Sequence, residues 1–119
     1  MRSIKLALCV SVVLGLTGCK STTLYNWGVY DEGLYEYYHD PVAAKEFPIA
    51  LESHLQQVED NNQRPAPGLY AEVGTFKLKS GDIAGAISFY EKEANTWPES
   101  ASLMKTIVQN LQRRNGNEQ

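Results

Sequence analysis

The fold is decided by residues 69–98, which read LYAEVGTFKLKSGDIAGAISFYEKEANTWP. Apolar residues recur every three or four positions on both sides of Gly81-Asp82, which is typical of two amphipathic helices joined by a tight turn. Pro98 follows the second helix, because proline cannot continue a helical hydrogen-bond ladder. We therefore expect a helical hairpin, with one helix over Leu69–Ser80 and the other over Asp82–Trp97.

This hairpin resembles the tetratricopeptide repeat, a 34-residue helix–turn–helix unit in which small residues allow close packing of the two helices. Counting back from Pro98, the repeat begins near Pro67. Two positions depart from its pattern, since Lys77 stands where an aromatic residue is usual and Glu93 where alanine is usual. The positions that match are Tyr70, Val73, Gly74, Gly81, Asp82, Ala86, Tyr90 and Pro98. A generic helical hairpin is the alternative.

The resemblance implies a partner-binding face on the first helix of the hairpin, because repeats of this type bind peptides through that helix. The residues that would form this face are Ala71, Thr75, Leu78 and Lys79. The next helix, Ser100–Arg114, looks like the first helix of a further repeat that is used as a C-terminal cap. Its inward-facing residues would be Met104, Ile107, Val108 and Leu111. Residues 115–119 are expected to fray.

Two more helices are expected upstream, over Trp27–Asp60, as a degenerate and lengthened copy of the repeat. The predicted class is therefore all-α, a short tetratricopeptide-like hairpin array over residues 27–114. Aromatic residues at helical spacing predict the first helix, from Trp27 to Tyr38. Asp40 and Pro41 predict the start of the second, over Pro41–Asp60, as a cap followed by proline in the first turn. Pro48 predicts a kink in it or a break into two short helices. The apolar stripe would be Val42, Phe47, Leu51, Leu55 and Val58.

Six of the twelve aromatic residues lie within Tyr25–Tyr38. Tyr and Trp bury apolar area while keeping a polar tip, so they suit interfaces as well as cores. We expect Trp27, Tyr30 and Leu34 to pack in the core. Tyr35 and Tyr38 are then the candidates for an exposed contact surface or for contact with membrane headgroups.

The composition argues against several classes of function. With 119 residues the chain has room for one domain, and its formal net charge of −3 argues against a nucleic-acid partner. His39 and His54 are the only imidazoles and lack a third ligand at metal spacing, so no metal or cofactor is expected. No Gly-x-Ser-x-Gly elbow or phosphate-binding loop is present in the sequence.

Two pairs of carboxylates could serve a glycan-directed enzyme, Asp31 with Glu32 and Glu91 with Glu93. General acid–base catalysis would require one member of a pair to be buried beside the other, and nothing in the spacing demands this. Acidic residues on exposed helix faces are the simpler interpretation. We therefore expect a protein that is not an enzyme and keep the glycan-directed enzyme as the least favoured alternative.

The first 18 residues resemble a bacterial lipoprotein signal peptide. Arg2 and Lys5 precede an uncharged apolar run, Leu6–Leu16, which suits a secretory signal and is too short to span a bilayer of ~30 Å. The run ends in Leu16-Thr17-Gly18-Cys19, which matches a lipobox. The resemblance implies cleavage after Gly18 and lipidation of Cys19. The lipidated cysteine and a polar tether would then make up residues 19–26.

This interpretation places the mature chain at a membrane. Cys9 would leave with the signal and Cys19 would be blocked by lipid, so neither disulfides nor cysteine chemistry would remain. Residues 19–119 hold 9 basic and 14 acidic residues, a net charge of −5. In Gram-negative lipoproteins, aspartate after the lipidated cysteine favours inner-membrane retention. Lys20 stands there instead, which predicts an outer-membrane anchor with the domain facing the periplasm.

Nearly all of the mature chain is similar to a family of small uncharacterised Gram-negative lipoproteins. The shared motifs are Trp27-Gly28-Val29-Tyr30, Leu34-Tyr35-Glu36-Tyr37, Pro67-Gly68-Leu69-Tyr70-Ala71-Glu72, Tyr90-Glu91-Lys92-Glu93 and Trp97-Pro98-Glu99-Ser100. The resemblance implies other envelope proteins as partners, among them a lipoprotein like the curli secretion channel subunit. We expect a protein–protein interaction module in an envelope secretion or assembly complex. The alternative is an activator or pilotin-like accessory that docks on a cell-wall synthase or secretin.

Overall fold

The computed structural model describes residues 23–117, and the chain is all-α over that range, as predicted. Residues 1–22, and with them the expected signal peptide and Cys19, lie outside the described residues, as do residues 118 and 119. Five helices and no strand occur between residues 23 and 117. They are α1 Tyr30–His39, α2 Ala43–Asp60, α3 Leu69–Lys79, α4 Ile83–Thr96 and α5 Ala101–Asn117.

The hairpin of α3 and α4 lies where the sequence predicts it, with each end within one residue of the expected position. Gly81 adopts a φ of +87° in the turn, a conformation that L side chains rarely adopt. Asp82 then caps α4, because its Oδ1 accepts a hydrogen bond of 2.8 Å from the backbone nitrogen of Gly85.

Close approach of α3 and α4 depends on the absence of a side chain at Gly74. A Cβ built there would lie 3.0 Å from two ring carbons of Tyr90 and 3.3 Å from the carbonyl oxygen of Ala86. Ala86 itself is fully buried. Small residues thus let the two helices pack tightly, and the Tyr90 ring fills the space beside them.

The helix α5 packs against α4 and closes the C-terminal side of the domain. The buried cluster between them is formed by Ala86, Tyr90, Met104, Val108 and Leu111. Ile107 packs against this cluster while partly exposed, so the predicted inward face of the helix is confirmed. The helix continues to Asn117, whereas the sequence predicts its end at Arg114, so residues 115–117 are helical.

The N-terminal pair α1 and α2 departs most from the sequence-based expectation. Trp27 precedes α1, which begins at Tyr30. The Asp40 carboxylate accepts hydrogen bonds from the backbone nitrogens of Val42 (2.6 Å) and Ala43 (3.3 Å), which confirms its capping role. The predicted break at Pro48 does not occur, since α2 runs through it as one helix.

The four remaining residues of the predicted α2 stripe are buried, but Val42 is 61% exposed and does not belong to it. Val42 precedes the first turn of α2, so its side chain does not continue the buried face. The stripe packs with α3 to form the first core cluster, against which Trp27 and Tyr30 also pack. The buried members of that cluster are Phe47, Leu51, Leu55, Ala66, Leu69, Tyr70, Val73 and Phe76.

Candidate functional site

The four residues predicted to form a binding face on α3 are all at least partly exposed: Ala71, Thr75 and Leu78 are partly buried and Lys79 is exposed. Ala71 and Leu78 pack against the second core cluster, on the side of α4 and α5. The Thr75 hydroxyl lies 3.1 Å from the Tyr90 hydroxyl and donates to the carbonyl of Ala71 at 3.0 Å. Lys79 is exposed and lies beside α1 instead, where its Nζ is 3.5 Å from the Tyr37 hydroxyl.

Lys79 belongs to a groove of about 440 Å³ between the N-terminal half of α2 and the C-terminal half of α3, with Tyr37 of α1 at one end. We call it the lysine groove. Its lining residues are Tyr37, Ala44, Lys45, Pro48, Ile49, Glu52, Val73, Phe76, Lys77, Lys79 and Ser80. Its volume lies within the range of small-ligand pockets, roughly 300–1,000 Å³.

Aromatic rings form the floor of the lysine groove. The Tyr37 ring centroid lies 5.0 Å from that of Phe76, and Phe76 meets Phe47 edge-on at 5.8 Å. The Lys79 ammonium lies 5.4 Å from the centroid of Tyr37 and 5.7 Å from that of Phe76, close enough for cation–π attraction. The rings therefore hold the ammonium at the groove.

Three lysines surround this apolar floor, and one of them is paired. Lys77 Nζ lies 2.7 Å from Glu52 Oε2, an ion pair that joins α3 to α2. Within residues 23–117 the only other ion pair is between Lys92 and Glu59, so Lys45 and Lys79 have no carboxylate partner in that range. The groove combines an apolar floor with two unpaired ammonium groups.

Sequence analysis did not select Lys45 and Ile49, which are two of the five α2 residues that line the groove. The signal available was the position of Ile49, which falls outside the stripe formed by Phe47, Leu51, Leu55 and Val58. The side chain of Ile49 is 71% exposed. A single exposed apolar residue is normal on a protein surface, so the sequence position of Ile49 alone does not identify a site, and only the fold shows that it borders the groove.

The predicted aromatic candidates on α1 are both exposed. Tyr35 is 67% exposed and stacks on His39 with the ring centroids 4.1 Å apart. Tyr38 is 69% exposed and meets the ring of Tyr37 edge-on at 5.0 Å. Tyr38 therefore lies next to a lining residue of the lysine groove, whereas Tyr35 stacks on His39, which does not line the groove.

The carboxylate pairs proposed for acid–base chemistry differ in burial. Asp31 and Glu32 are both exposed on α1. Glu91 is exposed, but Glu93 is fully buried, so these two carboxylates do not face the same medium. Among residues 23–117 no group of three or more His, Cys, Asp or Glu side chains is arranged to hold a metal ion.

Glu93 acts instead as a hydrogen-bond acceptor inside the fold. Its Oε1 accepts from the backbone nitrogen of Gly68 at 2.9 Å and from the Ser100 hydroxyl at 3.2 Å. Gly68 precedes α3 and Ser100 precedes α5, so one carboxylate joins both helix starts to α4. The other oxygen of Glu93 and Nε1 of Trp97 are buried and have no hydrogen-bond partner among residues 23–117.

A second polar network links α2, α3 and α4 through Glu59. Its Oε1 accepts hydrogen bonds from the Tyr70 hydroxyl (2.6 Å) and from Lys92 Nζ (2.9 Å). Desolvation acts to raise the pKa of Glu59, but these hydrogen bonds and the charge of Lys92 outweigh it and hold that pKa below its usual value. Burial, followed by the hydrogen bond to Glu59, raises the pKa of Tyr70.

None of the helices described between residues 23 and 117 is long and apolar enough to cross a membrane. No curated protein and no solved structure matches the chain. Residues 24–107, which include α1 to α4 and the first turns of α5, match a protein family described as a domain of unknown function (DUF4810). The chain therefore belongs to the DUF4810 family.

Proposed function

We propose that the mature protein is a lipid-anchored binding module of the outer membrane that faces the periplasm. In this proposal it holds a segment of another envelope protein within a secretion or assembly complex. The observation that carries the binding role is the lysine groove, which joins an apolar floor to two unpaired lysines, Lys45 and Lys79. The lipobox ending at Cys19 supports the anchor.

We further infer that α3 and α4 form a tetratricopeptide-like repeat and that α5 caps it. The close approach at Gly74, the left-handed Gly81 and the Asp82 cap support this inference. The two residues that depart from the repeat pattern each have a partner in the fold. Lys77 pairs with Glu52, and Glu93 accepts a hydrogen bond at the start of α3. An envelope partner would then contact the outer side of α3, toward α2, rather than the side covered by α4 and α5.

The binding role is tested by photocrosslinking in the native envelope. A photoreactive phenylalanine analogue is placed at Ile49, in the lysine groove, or at Leu103 on α5, which is comparably exposed at 62%. We expect Ile49 to give a discrete product with an envelope protein, identified by mass spectrometry, and Leu103 to give none. Equal products at both positions, or none at Ile49, would contradict the proposal.

The identity of the crosslinked protein separates the two forms of the hypothesis. A lipoprotein of a secretion channel would support the interaction module as proposed. A cell-wall synthase or a secretin would instead identify an accessory of the activator or pilotin kind. The anchor is tested separately, because Cys19→Ser should release the protein from the outer-membrane fraction, and mass spectrometry should find acyl chains on the wild-type chain alone.

A further inference from the structure

We propose that the lysine groove selects an acidic peptide segment that carries one bulky apolar side chain as an anchor. This inference rests on the proposed binding role and adds the chemistry of the partner to it. The arguments come from the distribution of charge over the described residues and from the shape of the groove.

Positive charge is concentrated at this groove in an otherwise acidic domain. Residues 23–117 contain eight Lys or Arg and thirteen Asp or Glu residues. Three of the eight line the groove, against one carboxylate, Glu52, which is already paired with Lys77. The remaining lysines, Lys45 and Lys79, are thus available to a ligand carboxylate in the described structure.

Helix electrostatics explain the position of Lys79 but not that of Lys45. Lys79 ends α3, where the helix dipole favours a cation. Lys45 lies in the first turn of α2, where the dipole disfavours one. The residues three and four positions away from Lys45 are Val42, Pro48, Pro41 and Ile49, none of which is acidic. Its charge therefore has no partner on its own helix and stays exposed to solvent, where a ligand carboxylate can reach it.

The neighbouring groove on the other side of α2 carries the opposite charge. Glu32 and Glu36 of α1 and Glu46 of α2 line it, and no Lys or Arg does. An acidic segment is repelled from that side and attracted to the lysine groove, so the charge separation also orients an approaching ligand. The same acidic side disfavours docking of the α1–α2 face on an anionic lipid surface.

An apolar anchor fits between the lysines. Val73 and Phe76 are buried, 1% and 7% exposed, and form the base of the groove, while the partly exposed Ala44 and Pro48 provide accessible apolar lining. Ile49 is 71% exposed and extends this apolar surface to the edge of the groove. A Phe or Leu side chain covering this surface would shield Ile49 from water, while flanking carboxylates reach Lys45 and Lys79.

Selection of random dodecapeptides by phage display on the full mature chain, purified in detergent, tests the chemistry. We expect enriched peptides to contain Asp or Glu on both sides of a Phe or Leu. Fluorescence anisotropy with the best peptide should show about tenfold weaker binding to Lys45→Glu and to Lys79→Glu. Raising the salt from about 50 mM to about 300 mM should also weaken it several-fold. Lys105→Glu makes the same charge reversal at an exposed position of α5, and it should bind the peptide as tightly as the wild type does.

Several results would overturn the inference. The inference is wrong if the enriched peptides lack acidic residues or if no peptide is enriched. It is also wrong if the Lys79→Glu variant selects the same peptides as the wild type. If wild type and Lys105→Glu bind phosphatidylglycerol vesicles equally and Lys79→Glu does not bind them, the groove is a lipid site. If analytical sedimentation finds dimers of the wild type but not of Lys79→Glu, the groove binds a second copy of the chain. A crosslink at Ile49 to a partner without acidic preference would spare the proposed function and contradict this inference alone.

Discussion

The carboxylate of Glu93 accepts a hydrogen bond of 2.9 Å from the backbone nitrogen of Gly68, and the bond joins α4 to the start of α3 across 25 residues. Gly68 has a φ of +90° and precedes the first turn of α3. The first turn of a helix has backbone nitrogens without intrahelical acceptors, so a buried carboxylate beside it replaces a side-chain cap. Glu93 thereby stabilises a helix to which it does not belong.

Replacing Glu93 by Ala should destabilise the protein by about 2–4 kcal/mol, because buried donors at Gly68 and Ser100 would lose their acceptor and a cavity would form. Glu93→Gln should cost less, since its amide oxygen can still accept from Gly68. Urea denaturation measures both. The tetratricopeptide pattern alone predicts the reverse, as alanine is usual there, so an Ala variant as stable as the wild type would contradict the structural account.

Gly74→Ala should destabilise the protein by about 1–3 kcal/mol, although alanine is the better helix former. Its Cβ would lie 3.3 Å from the backbone oxygen of Ala86, which cannot move without shifting α4. Gly116→Ala is the matched control, because no atom of residues 23–117 beyond its own helical turn lies within 4 Å of the added carbon. Thermal denaturation of the two variants should therefore give a lower Tm for the first and no loss for the second.

Asp82→Ala should lower the free energy of unfolding by about 0.5–2 kcal/mol, the usual cost of losing an N-cap. The lost interaction is the 2.8 Å hydrogen bond from the Gly85 nitrogen to Oδ1 of Asp82. Asp82→Asn keeps an oxygen at the same place and should retain most of the stability. Equal losses for Ala and Asn, measured by urea denaturation, would show that the cap is not what Asp82 contributes.

Acidification should weaken the fold through Glu59. Its pKa in the folded protein lies below the ordinary value of 4.5, so its contribution is present above that value and is lost as the pH falls through the folded pKa. The free energy of unfolding, measured by urea denaturation from about pH 6 to about pH 3, should therefore decrease.

The variant Glu59→Gln should show a smaller decrease over this range, because glutamine keeps an acceptor for Tyr70 but cannot titrate. Glu91→Gln removes one exposed carboxylate and controls for the change in net charge. A pH dependence that is unchanged in Glu59→Gln would rule out this network as its source.

Local signals account for the parts of the fold that could be predicted. Gly81 and Asp82 set the turn between α3 and α4, and Asp40 caps the start of α2 from within three residues. Of the two outcomes predicted at Pro48, the break into two helices does not occur, although a proline inside a helix removes one backbone hydrogen bond. Burial of the α2 stripe on α3 outweighs that loss and keeps the helix continuous.

The candidate site was only partly predictable. Repeat spacing selected Lys79, which is exposed, together with Ala71 and Leu78, which are partly buried and pack against the cluster between α4 and α5. Spacing on one helix does not say which neighbouring helix covers which side. The lysine groove depends on Lys45 and Ile49, which lie about thirty residues before Lys79 in the chain.

The sequence by itself determined the helical class, the hairpin and its ends to within one residue, because caps, turns and apolar periodicity act over a few residues. Only the tertiary structure decided that Glu93 is buried against Gly68, that Lys77 pairs with Glu52, and that Lys45 of α2 and two lysines of α3 line one groove. The first two contacts join residues 25 positions apart, Lys45 lies more than 30 positions from the lysines of α3, and the packing of whole helices against each other sets which of them meet. The physical reason is one of range: helix formation is local, whereas a binding surface forms where distant segments pack together.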